Sequence, residues 1–314
     1  MLRLTFLGTS AAAPTLNRGL TGLALRRAGE LLLFDCGEGT QRQMIRYGTG
    51  FDVAAIFFSH FHADHWLGAI GFLRTLSMLG RTEPLRLYGP RPAERFLGSM
   101  LLTGIEALSF EAEIHEVGPG AEVRREGAAL RAFATDHRTP SLGWVLAEDP
   151  RPGRFHPDRA RALGVPEGPL WKELQHGRAV AVAGRQVDPQ GVVGPPRPGR
   201  KVVVSGDTRP CPATVAAAEG ADLLVHDSTF GDGEQARAVE TFHSTAREAG
   251  RVARQAGARR LVLTHLSTRY DADPSPLAAQ AGEEFPGAVV AHDGMVVEVP
   301  HPGDADEGRP GEGG

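Results

Sequence analysis

Apolar and polar positions along this chain predict two βα series separated by a stretch with neither a strand nor a helix period. Residues 2–7, 21–27 and 30–35 read as strands, and a helix is predicted over 38–47. The run VAAIFF (53–58) is continuously apolar, as a strand buried on both faces must be, and it stops at Ser59 against a polar cluster. Spacing over 66–79 predicts a helix. Strands are predicted near 85–88, 110–117, 121–125, 128–133 and 142–147. A second series opens with a strand at 201–204 and a helix near 210–219. It continues with a strand at 222–225, a helix over 244–257, a strand at 259–264, a helix near 275–284 and strands at 288–291 and 294–299. The pattern is that of an α/β protein, and no fixed-period repeat is visible.

Residues 150–199 break this rhythm. They hold 9 of the 23 prolines and 8 glycines, and carry 8 Arg/Lys against 4 Asp/Glu, while the whole chain has a formal net charge of −4. Pro/Gly enrichment is the composition of a linker. However, Leu163, Val165, Leu170, Trp171 and Leu174 are apolar anchors that a pure linker does not need, which favours a protruding arm with a small ordered tip. The expected organisation is one domain over 1–300 with 150–199 inserted, and a disordered acidic tail over 301–314. At 314 residues, 41% hydrophobic and 23% charged, the chain can bury a sizeable core. No apolar run approaches the ~20 residues of a membrane span, and the N-terminus reads as a strand rather than a signal peptide. Two cysteines, Cys36 and Cys211, exclude a disulfide framework and a cysteine zinc finger, leaving one disulfide open and the cytoplasm as the default location. The acidic balance is not the footprint of a nucleic-acid binder, although the basic stretch at 150–199 is a local exception.

The strongest chemical signal is His60-Phe61-His62-Ala63-Asp64-His65, three imidazoles and a carboxylate directly after a buried strand. Imidazole and carboxylate are ligands for zinc and related divalent ions. His60 and His62 can point into one site, with Asp64 and His65 turning towards a neighbouring one. His137, Asp207 and His265 each follow an apolar run in the same way. Alone, each is more often a capping residue; together with the cluster they become candidate ligands, and a shared Asp207 could bridge two ions about 3.5–4 Å apart.

The cluster is the metallo-β-lactamase superfamily signature. The chain resembles the short-form tRNA 3′-processing endoribonucleases, the RNase Z branch, over residues 4 to about 270. The resemblance rests on FLGTSAAAPT (6–15), LLFDCGEGTQRQ (32–43), SHFHADHWLG (59–68), GPLWKELQHG (168–177), GPPRPGRKVVVSGDT (194–208), HDSTF (226–230), HST (243–245) and LTHLSTRY (263–270). It implies a four-layer αβ/βα sandwich with a protruding Pro/Gly-rich arm and two zinc ions, manganese or iron also suiting the ligands. By position, His60, His62 and His137 would hold one ion, Asp64, His65 and His265 the other, with Asp207 bridging. The arm would grip precursor tRNA, and the family's homodimers suggest a dimer here.

The resemblance also implies the reaction: hydrolysis of the phosphodiester 3′ of the discriminator nucleotide, leaving a tRNA 3′-hydroxyl and a trailer 5′-phosphate. Asp64 would accept a proton from the attacking water. His243 would protonate the leaving oxygen or hold the phosphate, and Asp227 would orient it. The family commonly carries Glu where this chain has Asp227, a change expected to lengthen the contact to His243. Rival readings keep the fold but change the substrate to a small phosphodiester, arylsulfate or thioester, or replace hydrolysis by di-iron redox chemistry. The second is disfavoured because His62 stands where di-iron relatives carry Glu. An inactive RNA-binding protein is disfavoured because all seven ligand positions are filled.

Overall fold

The computed structural model describes residues 1–302, so the expected tail lies, from residue 303 on, outside the described residues. The chain forms two compact units, Met1–Ala147 with Lys201–Pro300, and Glu148–Arg200 with His301. In the first unit the chain runs through β1 (Leu2–Gly8), β2 (Gly22–Arg27), β3 (Glu30–Phe34), β4 (Val53–Phe57), β5 (Leu85–Gly89), β6 (Ala112–Glu116), β7 (Glu122–Arg125), β8 (Ala128–Ala134) and β9 (Leu142–Glu148). The second unit holds β10 (Val180–Val182) and β11 (Arg185–Val187). The first resumes with β12 (Lys201–Val204), β13 (Leu223–Asp227), β14 (Leu261–Thr264), β15 (Val289–Val290) and β16 (Val296–Glu298).

Two seven-stranded mixed sheets result, ordered β16-β1-β2-β3-β4-β5-β6 and β15-β14-β13-β12-β9-β8-β7. The last strand returns to the edge of the first sheet, where Arg3 pairs with Glu298. Strand alternation builds the layers. Leu32, Phe34 and Phe57 of the first sheet meet Leu130, Trp144, Val202 and Val225 of the second in a central core. Leu31, Leu33, Ile56 and Leu87 point the other way, onto helices including Gly68–Met78 and Ala93–Leu101. Val203, Leu224 and Leu263 likewise face the helices Ala246–Gln255 and Ser275–Glu284. Burial on both faces is why the central strands read as unbroken apolar runs. The fold is the expected four-layer sandwich.

Trp144 is the largest fully buried side chain. Its ring meets Phe57 edge-on at 4.9 Å, and its indole N–H donates to the Phe58 carbonyl at 3.2 Å. Trp144→Ala removes that ring and the donor from the contact between the sheets. We expect a loss of about 3–5 kcal/mol in chemical denaturation, with Trp144→Phe retaining more than half of it.

Among the described residues, Ala93–Leu101 and Gln235–Thr241 carry no expectation from the sequence, and neither do Pro157–Ala162 and Pro169–Gln175 in the basic stretch. Ala93–Leu101 follows Pro90 and Pro92, and Gln235–Thr241 buries only Ala238. The helix expected over 66–79 is Gly68–Met78, preceded by a turn of helix, Ala63–Trp66, that contains Asp64 and His65. Among the described residues no helix is long and apolar enough to cross a membrane.

The second unit has its own small core of Ala160, Val165, Leu174, Val180, Val187 and Val192, with Phe155, Leu170 and Trp171 packed against it. The Trp171 indole N–H donates to the Val165 carbonyl at 3.1 Å, and the Arg161 guanidinium lies over the ring. Leu163, read as an anchor, is instead half exposed at 50%, because it caps the helix Pro157–Ala162 on the outer side. Both cysteines are free thiols, and burial pushes the Cys36 thiol up to about 12, which makes it a packing residue.

Candidate metal centre

The polar residues that end the central strands converge at one end of the sandwich. His60 and His62 follow β4, His137 follows β8, Asp207 follows β12, and His265 follows β14. This is the strand end where open α/β sheets place their chemistry. Gly206, with φ of 62°, lets β12 turn sharply enough to deliver Asp207, and a Cβ there would lie 2.7 Å from that of Ser59. Four non-glycine residues in the same region also take left-handed φ: Ala12 (59°), Asp35 (58°), Phe242 (62°) and His265 (61°). Such conformations cost energy and persist where surrounding contacts hold them.

The seven candidate ligands fall into two sets. His60, His62, His137 and Asp207 present one ligand atom each to a common point, as do Asp64, His65 and His265. In the first set His60 Nε2 and His137 Nε2 lie 2.9 and 3.2 Å from His62 Nδ1. In the second, His65 Nε2 lies 3.3 Å from His265 Nε2, and the Asp64 Oδ2 lies 3.4 Å from His265 Nε2. The Asp207 Oδ2 stands between them, 3.6 Å from His60 Nε2, 3.3 Å from His65 Nε2 and 3.4 Å from His265 Nε2. Metal bonds of ~2.0–2.1 Å set neighbouring ligand atoms roughly 3.3 Å apart at the corners of a tetrahedron, so the residues fit divalent ions.

Protonation and tautomer agree with that fit. Burial holds the His60, His62 and His137 rings below the usual imidazole range, in the neutral form that binds metal. The ring nitrogens turned away from the centre have fixed partners in His60, His65, His137 and His265. Ser59 Oγ donates to Asp35 Oδ2 at 2.8 Å, so it accepts from His60 Nδ1 at 3.0 Å. His65 Nδ1 donates to Asp35 Oδ2 at 2.8 Å. Thr229 Oγ1 donates to Asp227 Oδ1 at 2.7 Å and so accepts from His265 Nδ1 at 2.9 Å. His137 Nδ1 donates to the Phe242 carbonyl at 2.9 Å. Each arrangement leaves the Nε2 lone pair facing the centre. Without a cation, burial opposes a charge on His65, but Asp207 and Asp35 outweigh it and hold the ring well above its ordinary range. A cation at this point takes the place of that proton.

Asp227 and His243 form a second pair. His243 Nδ1 lies 2.9 Å from Asp227 Oδ2, so the shorter carboxylate reaches the ring and the contact is not lengthened. Burial works against a charged His243, but the Asp227 anion outweighs it and raises the ring to about 9. The His243 ring stacks on His265 with centroids 5.1 Å apart. A cleft of about 450 Å³ is lined by His62, Asp64, Asp207, His243 and His265. Asp64 is held there by the Ala12 N–H, 2.8 Å from its Oδ2.

Asp35 closes the apolar run LLLF, the sequence signal of a residue that orders the metal loop, whereas Ser59, Thr229 and the Phe242 carbonyl were not singled out. Ser59 and Thr229 carry one usable signal, a polar run directly after an apolar strand. Gly8, Thr9 and Ser10 form a structural turn: Thr9 Oγ1 donates to Asp293 at 2.7 Å and Ser10 Oγ to the Ala13 carbonyl at 2.6 Å. Asp35 serves two histidines, one directly and one through Ser59. We therefore expect Asp35→Ala to weaken metal binding by about 10–100-fold, measured by competition with a chromogenic chelator.

Two mixed sheets with helices outside and a His/Asp centre at one end define a metallo-hydrolase of the metallo-beta-lactamase superfamily, whose family profile matches residues 22–265. The Ribonuclease Z of Myxococcus xanthus is 64% identical over 302 residues, covering 96% of this chain and 98% of its own length. That of Gemmatimonas aurantiaca is 51% identical, covering 95% and 96%. The crystal structure of human short-form tRNase Z matches with a TM-score of 0.68 and 29% identity, covering 95% of this chain and 99% of that one. The chain belongs to the Ribonuclease Z family and is a nuclease of the hydrolase class.

Proposed function

We propose that the protein removes the 3′ trailer of precursor tRNA by a metal-dependent endonucleolytic cut after the discriminator nucleotide. The observation that carries this reading is the convergence of His60, His62, Asp64, His65, His137, Asp207 and His265 on two adjoining points in a chain so close to named Ribonuclease Z relatives. Two divalent ions, zinc by the chemistry of the donors, would sit in these sets and supply an activated water and an offset for charge on the phosphoryl oxygens.

The protein's own groups do the rest. Asp64, at the floor of the cleft and kept ionised by His265 despite its burial, accepts a proton from the attacking water. His243 donates its Nδ1 proton to Asp227 and turns Nε2 to the cleft, where it holds a proton for the departing 3′-oxygen. The products are a tRNA 3′-hydroxyl and a trailer 5′-phosphate. The unit Glu148–Arg200 serves as the tRNA-binding arm, its local net positive charge attracting the phosphate backbone.

A homodimer in the cytoplasm completes the reading. Met78, Leu79, Leu102 and Ile105 leave apolar surface exposed on the helical side of the first sheet, where Arg74 binds the carbonyls of Leu101, Thr103 and Glu106. Light scattering at micromolar concentration distinguishes a dimer from the 33.5 kDa monomer.

The deciding experiment is incubation of end-labelled precursor tRNA with the metal-loaded protein. One cut after the discriminator, abolished by chelator, is the expected result. No cut by a folded, metal-loaded protein would move the assignment to a hydrolase of small phosphodiesters.

A further inference from the structure

The cleft over the metal centre is lined by an arginine whose charge no carboxylate takes up. Arg237 stands on the helix Gln235–Thr241 one turn before Thr241, and both side chains line the cleft. Glu240, one turn further along the same helix, is exposed and makes no ion pair with Arg237 among the described residues, and the carboxylates of the flanking segments are engaged elsewhere. Asp232 and Glu283 each bind Arg247 at 2.8 Å, Glu248 binds Arg209, and Glu234 binds the Tyr270 hydroxyl and lies 3.5 Å from Arg269. No carboxylate pairs with Arg237 among the described residues, although it is exposed.

Its guanidinium is nevertheless placed. It lies over the ring of Phe230, 5.7 Å from the centroid. Phe230 is buried, and its ring is 6.2 Å from that of His243. A cation over an aromatic face is oriented without consuming its N–H donors. The result is a flat, always-charged fork at the rim of the cleft, with its hydrogen-bonding capacity uncommitted. In the proposed reaction the ligands and His243 serve the phosphate that is cut. What remains for Arg237 is an anion beside it, and a planar fork with five donors suits a phosphodiester.

We propose that Arg237 binds a phosphate of the RNA strand adjacent to the scissile one, as a substrate-positioning residue that contributes to affinity and not to bond breaking. This rests on the reading of the substrate as precursor RNA. A phosphate bound by one Arg displaces condensed counterions, so it makes a defined contribution to the salt dependence of binding.

The test is steady-state cleavage of precursor tRNA across a series of salt concentrations. It compares wild type, Arg237→Ala, Arg237→Lys and the control Arg95→Ala, which removes an exposed arginine stacked on Phe96, away from the cleft. For Arg237→Ala we expect KM to rise about tenfold, the size of a charged hydrogen bond, with kcat within about twofold. The slope of log KM against log salt should fall by about 0.7–0.9. Arg237→Lys should restore the slope but only part of the KM, because a point charge replaces a fork. Arg95→Ala should change neither. The proposal is overturned if Arg237→Ala keeps the wild-type slope and KM, or loses kcat with KM unchanged. If wild type itself leaves the precursor uncut, the substrate reading falls first and this proposal with it, an outcome visible before any variant is compared.

Discussion

Replacing Asp207 with Ala is expected to strip metal from both halves of the centre at once and to lower precursor cleavage by about 10³-fold or more. One oxygen, Oδ2, lies within 3.6 Å of the facing nitrogens of His60, His65 and His265, which belong to different ligand sets. The other candidate ligands belong to one half each. Removing His137 leaves the trio Asp64, His65 and His265 intact. Two metals placed across a phosphoryl group are worth several kcal/mol of transition-state stabilisation, and each 1.4 kcal/mol is tenfold in rate. Elemental analysis of purified proteins should therefore give close to one metal per chain for His137→Ala and less than one for Asp207→Ala. The fold control is denaturation of metal-free wild type and variant side by side. Asp207 also faces a protonated His65 when metal is absent, so its loss removes an ion pair as well as a ligand. Two tightly held metals in Asp207→Ala would dispose of the bridging assignment.

How much of this could be read from the chain depends on what kind of contact is involved. The central strands were legible because burial on both faces leaves an unbroken apolar run, as in VAAIFF at β4. The histidine cluster was legible because four ligands fall within six residues. Asp207 and His265 are single residues, and they stood out only because each closes an apolar run next to that anchor. The groups that set the imidazole tautomers left little trace. Ser59, Thr229 and a backbone carbonyl at Phe242 are common polar groups, and their roles follow from where distant strands bring them. The second unit fails in a related way. Its core rests on Val180, Val187 and Val192, in or after three-residue strands too short to display a period, while Leu163, a more obvious apolar residue, faces outward. Asp227 makes the converse point. Shortening Glu by a methylene argued for a longer contact, yet the left-handed turn at Phe242 positions His243 2.9 Å from the carboxylate. Side-chain length alone does not determine a distance that two backbones share.

His243→Ala should separate two substrates that the metal centre alone would treat alike. The 3′-oxygen of a tRNA is a poor leaving group and needs a proton as it departs. A p-nitrophenolate leaves without one. General-acid assistance contributes about 10²–10⁴-fold, so the variant should lose that factor in kcat on precursor tRNA and far less on bis(p-nitrophenyl) phosphate. The local geometry assigns the proton. Nδ1–H is committed to Asp227 Oδ2 at 2.9 Å, and Asp227 is itself fixed by the Thr229 N–H at 2.9 Å and the Thr208 N–H at 3.1 Å. The pH profile adds a sign. Cleavage that needs a protonated His243 falls as pH rises through its pKa, which Asp227 raises to about 9 without cations and which bound cations pull lower. Asp227→Asn removes the anion that raises it, so the alkaline limb should move to lower pH. Asp207, His65, His137 and His265 also face this ring, and their charges are the same in wild type and variant once the centre is loaded. Equal losses on both substrates after His243→Ala would mean that the ring supports the metal centre instead of the leaving group.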